Sequence, residues 1–198
     1  ELSKRKLHDK IGNLQAGLGL YGGGLFNNGG HLVDLIRLLL GRIVSVQAVS
    51  DIVSDKSFRL ANDLELSFVL NLEGGGKISV SPIDFDHYRE IGIDLWGTAG
   101  RFSLLQESLV ASEFPLSPNR ALSDTFEISS DNGRHCLTAV ASASENLYRN
   151  LSAALSNHET LWSSIDSALL TEKILQEAIR SARYSGVLIP IVEPELCI

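Results

Sequence analysis

The feature that most constrains the fold is a strict alternation of apolar and mostly polar residues near the middle of the chain. Over positions 64–72, leucine or phenylalanine occupies every even position. A period of two places these side chains on one face of a β-strand. Gly74, Gly75 and Gly76 follow and predict a hairpin turn into a second strand over 77–82. The pattern therefore predicts an antiparallel strand pair with one apolar face.

Further short strands and three helices are predicted along the chain. The strands are expected over 14–20, 44–49, 91–95, 101–105 and 125–129, and the helices over 32–40, 146–155 and 164–184. Strands joined by short turns favour an antiparallel sheet over βαβ units. We expect an α+β fold with an open, mainly antiparallel sheet, helices packed on one face, and a single domain over 1–198.

The helix boundaries are predicted from capping residues. Asn28 is the candidate N-cap of the first helix, and Gly41 is expected to end it. Ser163 and Asp166 form an S-x-x-D capping box before the last helix. The predicted buried stripe of that helix consists of Ile165, Ala168, Leu169, Leu175, Ala178, Ile179 and Ala182.

Composition excludes several classes of partner. The net charge is −7 and the chain has no stripe of Lys and Arg, which argues against binding to nucleic acid. No apolar run reaches the roughly 18 residues of a membrane-spanning helix, and no signal peptide is visible. We therefore expect a cytoplasmic protein without a membrane partner. Cys136 and Cys197 lack the spacing of metal ligands, and we expect free thiols and no metal site.

A glycine motif near the start resembles a dinucleotide-binding sequence, but its context argues against that function. Gly17, Gly19 and Gly22 match G-x-G-x-x-G. The dinucleotide fingerprint needs a helix that begins within the motif and a βαβ continuation. Here more glycines follow, and the predicted sheet is antiparallel. We interpret the motif as close backbone packing at a strand end, and expect this domain alone to bind no NAD(H).

Three polar side chains converge at the N-terminal end of the first apolar helix. Asn27, His31 and Asp34 follow an i, i+4, i+7 spacing and share one face if the helix extends back to Asn27. Polar groups beside an apolar wall suit a small-molecule pocket. An imidazole accepts or relays a proton near neutral pH, so His31 is the candidate catalytic residue. The alternative is that His31 only satisfies a backbone group near the helix start.

The run from Gly22 to Asp34 resembles the signature that opens the second domain of the glucose–fructose oxidoreductase / inositol dehydrogenase (Gfo/Idh/MocA) family. That signature is a glycine run, a carboxylate or Asn, a Gly, a His four residues after the carboxylate or Asn, and an Asp three further on. The segment Trp96 to Arg101 resembles the family's G-x-x-G hairpin. The last helix, with Ser181-Ala182-Arg183 near its end, resembles the family's final helix.

The resemblance implies roles for four residues. His31 would sit over the reacting carbon of a sugar or polyol, together with a Lys from a preceding domain. Many family members carry Asp where this chain has Asn27. Since Asn cannot take a proton, the resemblance implies that Asn27 orients His31 or a substrate hydroxyl. Asp34 and Tyr88 complete the predicted substrate-binding set. The alternatives are a turn position beside Gly29 for Asn27, structural capping for Asp34 and an exposed loop position for Tyr88.

The resemblance also implies a missing domain. The family's N-terminal Rossmann domain, with its glycine fingerprint and Glu-Lys-Pro segment, has no counterpart here. The chain begins with Glu1 and contains no Met, so we expect a fragment in which residues 1–13 are the connection from that domain.

The implied function is that of the substrate-binding and dimerisation domain of an NAD(P)-dependent oxidoreductase acting on a sugar, polyol or nucleotide-sugar hydroxyl. NAD or NADP would bind in the parent, and the isolated domain would be inactive. The open sheet would associate with further copies as a homodimer or tetramer. The alternative is a non-catalytic sugar-binding or oligomerisation module on the same scaffold.

Overall fold

The computed structural model describes residues 4–54, 63–157 and 159–192. Its helical elements are α1 (Lys4–Ile11), a π-helical turn (Gly24–Gly29), α2 (Gly30–Leu40), two 3₁₀ turns (Ser130–Asn132 and Val140–Ser142), α3 (Ala143–Asn157) and α4 (Ile165–Arg183). Its strands are β1 (Leu14–Tyr21), β2 (Ile43–Ala48), β3 (Val53–Ser54), β4 (Leu64–Glu65), β5 (Phe68–Leu72), β6 (Lys77–Pro82), β7 (Gly92–Gly97), β8 (Gly100–Leu105), β9 (Val110–Pro118), β10 (Phe126–Ile128), β11 (Arg134–Leu137) and β12 (Ile189–Pro190).

The strands form one large open sheet and one short two-stranded sheet. The large sheet has the order β10-β9-β8-β7-β1-β6-β5-β2-β12, with β11 beside β9, while β3 pairs with β4. Strand β1 lies near the centre, parallel to β6 and antiparallel to β7. The other described strand pairs are antiparallel. This architecture confirms the predicted α+β class and the mainly antiparallel sheet.

The core lies between one face of the sheet and helices α2 and α4. Leu70 of β5 pairs with Ile78 of β6, and both side chains are fully buried on this face. Helix α2 lies directly on β1. The side chain of Leu32 packs against Gly19, where an added Cβ would be only 3.1 Å from it. Helix α4 is fastened to β2, where the backbone N–H of Ala48 donates to Ser181 Oγ at 2.8 Å.

The first two glycines of the G-x-G-x-x-G match lie inside β1. Gly17 and Gly19 pair with both neighbouring strands, so they lie in the middle of β1. The predicted position at a strand end is therefore wrong for these two glycines. A Cβ on Gly17 would lie 2.2 Å from Cδ1 of Ile78, so the side chain of Ile78 packs directly on the glycine backbone. No helix begins between these glycines, and the structure agrees with rejecting a dinucleotide fingerprint.

The cleanest alternating segment, 64–72, forms two strands where one continuous strand was predicted. Leu66 is buried between β4 and β5, but its backbone bonds to a side chain. The hydroxyl of Tyr21 donates to the carbonyl of Leu66 at 2.9 Å and accepts from its N–H at 3.0 Å. The alternation of burial is kept while the strand ladder is interrupted.

The structure corrects two predicted caps. Asn28 is not an N-cap, because the helix extends back through the π-helical turn and encloses it. Ser164, and not Ser163, caps α4, and its side chain accepts from the N–H of Ser167 at 3.2 Å. Gly41, at φ +93°, ends α2 as predicted.

The first half of α4 presents a different face to the core from the predicted stripe. Ile165 and Leu169 are exposed, whereas Thr171 and Ile174 are buried. The reason is a polar contact with α2, because Nη1 of Arg37 donates to Thr171 Oγ1 at 2.8 Å. This bond turns a polar stripe of α4 inward. The second half follows the prediction, with Leu175, Ala178 and Ile179 buried.

Helix α3 has a polar inward face and an apolar outward face. Asn150 is buried and holds the connection to α4, donating to the carbonyl of Thr160 at 3.0 Å and accepting from the N–H of Trp162 at 2.8 Å. In contrast, Tyr148 and Leu155 are 71% and 77% exposed.

Among the described residues, every helix is too short or too polar to span a membrane.

The sheet face opposite α2 and α4 carries a stacked arginine. The guanidinium of Arg101 lies 5.2 Å from the ring centroids of both Trp96 and Phe114. Its Nε donates to Asp94 Oδ1 at 2.8 Å, and this hydrogen bond raises the pKa of Arg101 above its ordinary value. Leu18 is exposed on the same face.

Cys136 is an exposed free thiol. Cys197 and residues 1–3 of the predicted connection lie outside the described residues.

Candidate functional site

A groove of about 310 Å³ lies between the start of α2 and the first half of α4. Asn27, His31 and Asp34 line one wall. The π-helical turn runs directly into α2, so these side chains occupy one continuous helical face. The opposite wall comes from α4, with Ala168, Thr171, Glu172 and Leu175. The structure thus brings three of the four sequence-predicted site residues together.

Asn27 is held at both its backbone and its side chain. Its Nδ2 donates to the carbonyl of Gly23 at 3.1 Å, and its backbone N–H donates to Asp63 Oδ2 at 3.2 Å. Within the described ranges its Oδ1 has no protein donor, so this oxygen remains available to accept a hydrogen bond from a ligand. The neighbouring Asn28 points elsewhere, donating to the carbonyl of Gly22 at 2.6 Å.

His31 lies in the first turn of α2, with an exposed side chain that lines the groove. Among the residues that the structure describes, no hydrogen bond or ion pair engages its imidazole. The backbone-satisfying alternative for His31 therefore has no contact to support it here. Both ring nitrogens remain available to donate to or accept from a bound molecule.

Asp34 joins α2 to α4 at the edge of the groove. Its Oδ1 accepts from Arg37 Nη1 at 3.1 Å and from the hydroxyls of Ser167 and Thr171 at 3.2 Å each. The carboxylate is half exposed, whereas the Arg37 side chain is mostly buried. Asp34 is thus bonded to the opposite wall and not to His31, and its bonds hold the two walls together.

Tyr88 does not line the groove. It is 65% exposed in the loop between β6 and β7. The same loop nevertheless packs beside the glycine run, since a Cβ added to Gly22 would lie 2.3 Å from the ring of Phe85. The loop therefore supports the chain just before the π-helical turn.

Two carboxylates near the site were not predicted from the sequence. Glu172 lines the groove from α4 and accepts from Gln176 Nε2 at 2.9 Å. Asp63 is buried behind the π-helical turn, where its oxygens accept from the N–H groups of Phe26 and Asn27. The i, i+4 spacing of Ala168 and Glu172 is a signal that could have found Glu172. No local pattern indicates Asp63.

The groove presents several groups that can form hydrogen bonds with a small molecule. Its polar groups are the imidazole of His31, to which no described residue bonds, the amide oxygen of Asn27, and the carboxylates of Asp34 and Glu172. The apolar side chains of Phe26 and Leu175 lie beside them. Hydroxyl groups both donate and accept, so they match this set of partners. In the described part of the chain, no cluster of three or more His, Cys, Asp or Glu side chains could hold a metal ion.

Comparison with known proteins gives one family and a set of similar folds. Residues 12–103 match the family model described as the GFO/IDH/MocA C-terminal domain. No curated protein matches the sequence at a significant level.

Several solved structures share the fold. Levoglucosan dehydrogenase in complex with NADH and L-sorbose matches with a TM-score of 0.74 and 15% identity, over 98% of this chain and 62% of that chain. The WlbA dehydrogenase from Bordetella pertussis, in complex with NADH and UDP-GlcNAcA, matches with a TM-score of 0.67 and 16% identity, over 96% of this chain and 59% of that chain. An oxidoreductase domain protein from Kribbella flavida matches with a TM-score of 0.71 and 15% identity, over 96% of this chain and 63% of that chain. The chain therefore spans about three fifths of the length of these structures.

Proposed function

Residues 12–103 belong to the C-terminal domain family of Gfo/Idh/MocA proteins, which confirms the resemblance seen in the sequence, and from this premise we propose that the chain is the substrate-binding domain of an NAD(P)-dependent oxidoreductase. The substrate class is a sugar, polyol or nucleotide sugar that reacts at a hydroxyl. The observation that carries the proposal is the groove lined by Asn27, His31 and Asp34, in which no described residue bonds to the imidazole of His31. Relatives with this fold bind NADH together with L-sorbose or UDP-GlcNAcA.

His31 is the proposed proton acceptor. Oxidation of an alcohol by hydride transfer requires that the hydroxyl lose its proton, and a positioned imidazole accepts protons at neutral pH. The side-chain oxygen of Asn27, one helical turn earlier, would receive a hydrogen bond from a substrate hydroxyl and so fix its orientation. Glu172 on the opposite wall would accept from a second hydroxyl. Tyr88 would contact a substrate only where it extends beyond the groove.

The nicotinamide cofactor belongs to the proposed parent. NAD or NADP would accept the hydride there, bound by a preceding Rossmann domain to which residues 1–13 connect. The G-x-G-x-x-G match of this chain is poorly suited to a pyrophosphate, because Gly17 and Gly19 are covered by Ile78 and Leu32. A pyrophosphate needs backbone N–H groups exposed at a helix N-terminus. We therefore expect this chain alone to be inactive.

Subunit association is part of the same proposal. The sheet face with Leu18, Trp96 and Arg101 is open in the single chain, and a second copy could cover it to form a homodimer or tetramer. The alternative function is a non-catalytic sugar-binding or oligomerisation module. One observation favours that alternative, since Asn27 places an amide, which cannot titrate, where many relatives have a carboxylate.

The decisive experiment is the substitution His31→Ala in the full-length parent. Removal of a positioned acid–base group lowers kcat by about 10²–10⁴-fold. We expect this loss with an unchanged melting temperature, because none of the described residues bonds to this side chain. His87→Ala is the matched control, since His87 is exposed in the β6–β7 loop, where it pairs with Asp84. Turnover near the wild-type value in His31→Ala would assign the domain to the non-catalytic alternative.

The companion substitution Asn27→Asp tests the neighbour of His31. A carboxylate at this position would add a titrating group beside the imidazole and shift the pH dependence of kcat/KM. An unchanged pH profile would mean that Asn27 does not touch the reacting centre.

A further inference from the structure

The π-helical turn that carries Asn27 is built around a buried carboxylate. Asp63 is 7% exposed. Its Oδ1 accepts from the N–H of Phe26 at 3.2 Å and of Leu64 at 2.7 Å, and its Oδ2 accepts from the N–H of Asn27 at 3.2 Å. Within the described ranges, these backbone donors are its partners, and no cation pairs with it.

The glycine run makes room for this carboxylate. Gly23 adopts the left-handed conformation, and Gly24 has φ +101°. A Cβ on Gly24 would lie 1.9 Å from Oδ2 and 2.4 Å from Cγ of Asp63, so any other residue would displace the carboxylate. The signature glycines thus admit a side chain from a distant part of the sequence into the start of the helix.

The carboxylate stabilises an otherwise costly helix start. The first N–H groups of a helix have no partner within it, so acceptor oxygens are needed there. A negative charge at this end also interacts favourably with the positive end of the helix dipole. No side chain from the turn itself caps it, since its N-cap is Gly23. Asp63 provides both the acceptor oxygens and the charge, and it accepts from the N–H groups of two residues that line the groove, Phe26 and Asn27.

We infer that Asp63 is a positioning residue for the groove, which fixes the backbone of Asn27 and thereby the face shared by Asn27 and His31. This inference rests on the proposed function, because it assigns Asp63 an effect on turnover through Asn27 and His31. Its oxygens bind main-chain N–H groups and do not line the groove. Displacement of reacting groups by about 1 Å can cost about 10²-fold in rate, so loss of this contact should be visible in kcat.

The first test is direct and uses this chain. In Asp63→Asn, one acceptor oxygen and the charge are lost. We expect the amide proton resonances of Phe26 and Asn27 to shift and their exchange with solvent to accelerate at least tenfold. Asp51→Asn is the control, since it makes the same change on an exposed residue nearby. Unchanged amide signals in Asp63→Asn would overturn the inference.

The second test measures turnover in the full-length parent. We expect Asp63→Asn to lower kcat by about 10- to 100-fold while KM changes less. A purely structural role is tested with Ile179→Val, a core substitution remote from the turn, assayed at temperatures equally far below each variant's melting temperature. Equal kcat in the two variants would overturn the positioning role.

The two failures are distinguishable. A parent without nicotinamide-dependent oxidation refutes the proposed function and with it the catalytic part of this inference. An active parent with shifted amide signals but wild-type kcat in Asp63→Asn refutes the positioning role alone.

Discussion

Gly24→Ala should strongly destabilise this chain, because two independent costs coincide at that residue. Gly24 has φ +101°, a backbone conformation that costs an alanine about 1–3 kcal/mol. Its new Cβ would also overlap the carboxylate of Asp63, at 1.9 Å from Oδ2. Moving that carboxylate breaks hydrogen bonds from Phe26 and Asn27, and bonds to charged groups contribute about 1.5–3 kcal/mol each.

The two costs together amount to about 3–5 kcal/mol, allowing for partial recovery of the displaced bonds. This is a large fraction of the 5–15 kcal/mol that typically stabilises a domain. For a chain of this length, about 2–4 °C is lost per kcal/mol, so the melting temperature should fall by about 6–20 °C. Thermal unfolding followed by circular dichroism, together with urea titration, measures both quantities.

The control is Gly74→Ala in the β5–β6 hairpin. A Cβ there would meet no atom within 4 Å, and the residue is not among those with positive φ, so we expect a change within about 0.5 kcal/mol. In an Asp63→Ala background, Gly24→Ala should cost only the backbone strain of about 1–3 kcal/mol. A melting temperature of Gly24→Ala within 2 °C of the control, which is about one kcal/mol, would refute the reasoning.

Two further outcomes follow from contacts described above. Tyr21→Phe should cost about 2–4 kcal/mol in urea unfolding, because both backbone groups of buried Leu66 lose their partner, and Tyr184→Phe on the surface should cost almost nothing; equal costs would contradict this. If the open sheet face forms a subunit contact, light scattering at high micromolar concentration should give a dimer or larger, with Leu18→Glu but not Leu147→Glu shifting it toward monomer. A wild-type monomer would count against the association.

Local patterns in the sequence predict most of the sheet. The period of two over 64–72 and the glycine turn at 74–76 locate β5 and β6, because these signals are short-range. Strand β9 was missed because it carries no regular alternation and includes Pro115. Its position depends on pairing with β8, β10 and β11, which a local pattern does not encode.

The candidate site was predictable on one wall only. The spacing of Asn27, His31 and Asp34 predicts a shared helical face, and the structure places all three along the groove. Their proposed roles remain predictions. The other wall depends on which face of α4 turns inward, and hydrogen bonds from Arg37 to that helix decide this. A helical pattern could not predict the role of Asp63, because this residue contacts the turn from a separate segment of the chain.

The central position of β1 has a consequence for how the chain folds. β1 precedes the other described strands of its sheet along the chain, yet its partners β6 and β7 follow the whole of α2, β2 and β5. Until they emerge, both edges of β1 are unpaired and expose backbone groups that can pair with other chains. Contacts between such distant segments slow folding. We therefore expect the middle of the sheet to close late, and nascent chains cut before β6 to aggregate.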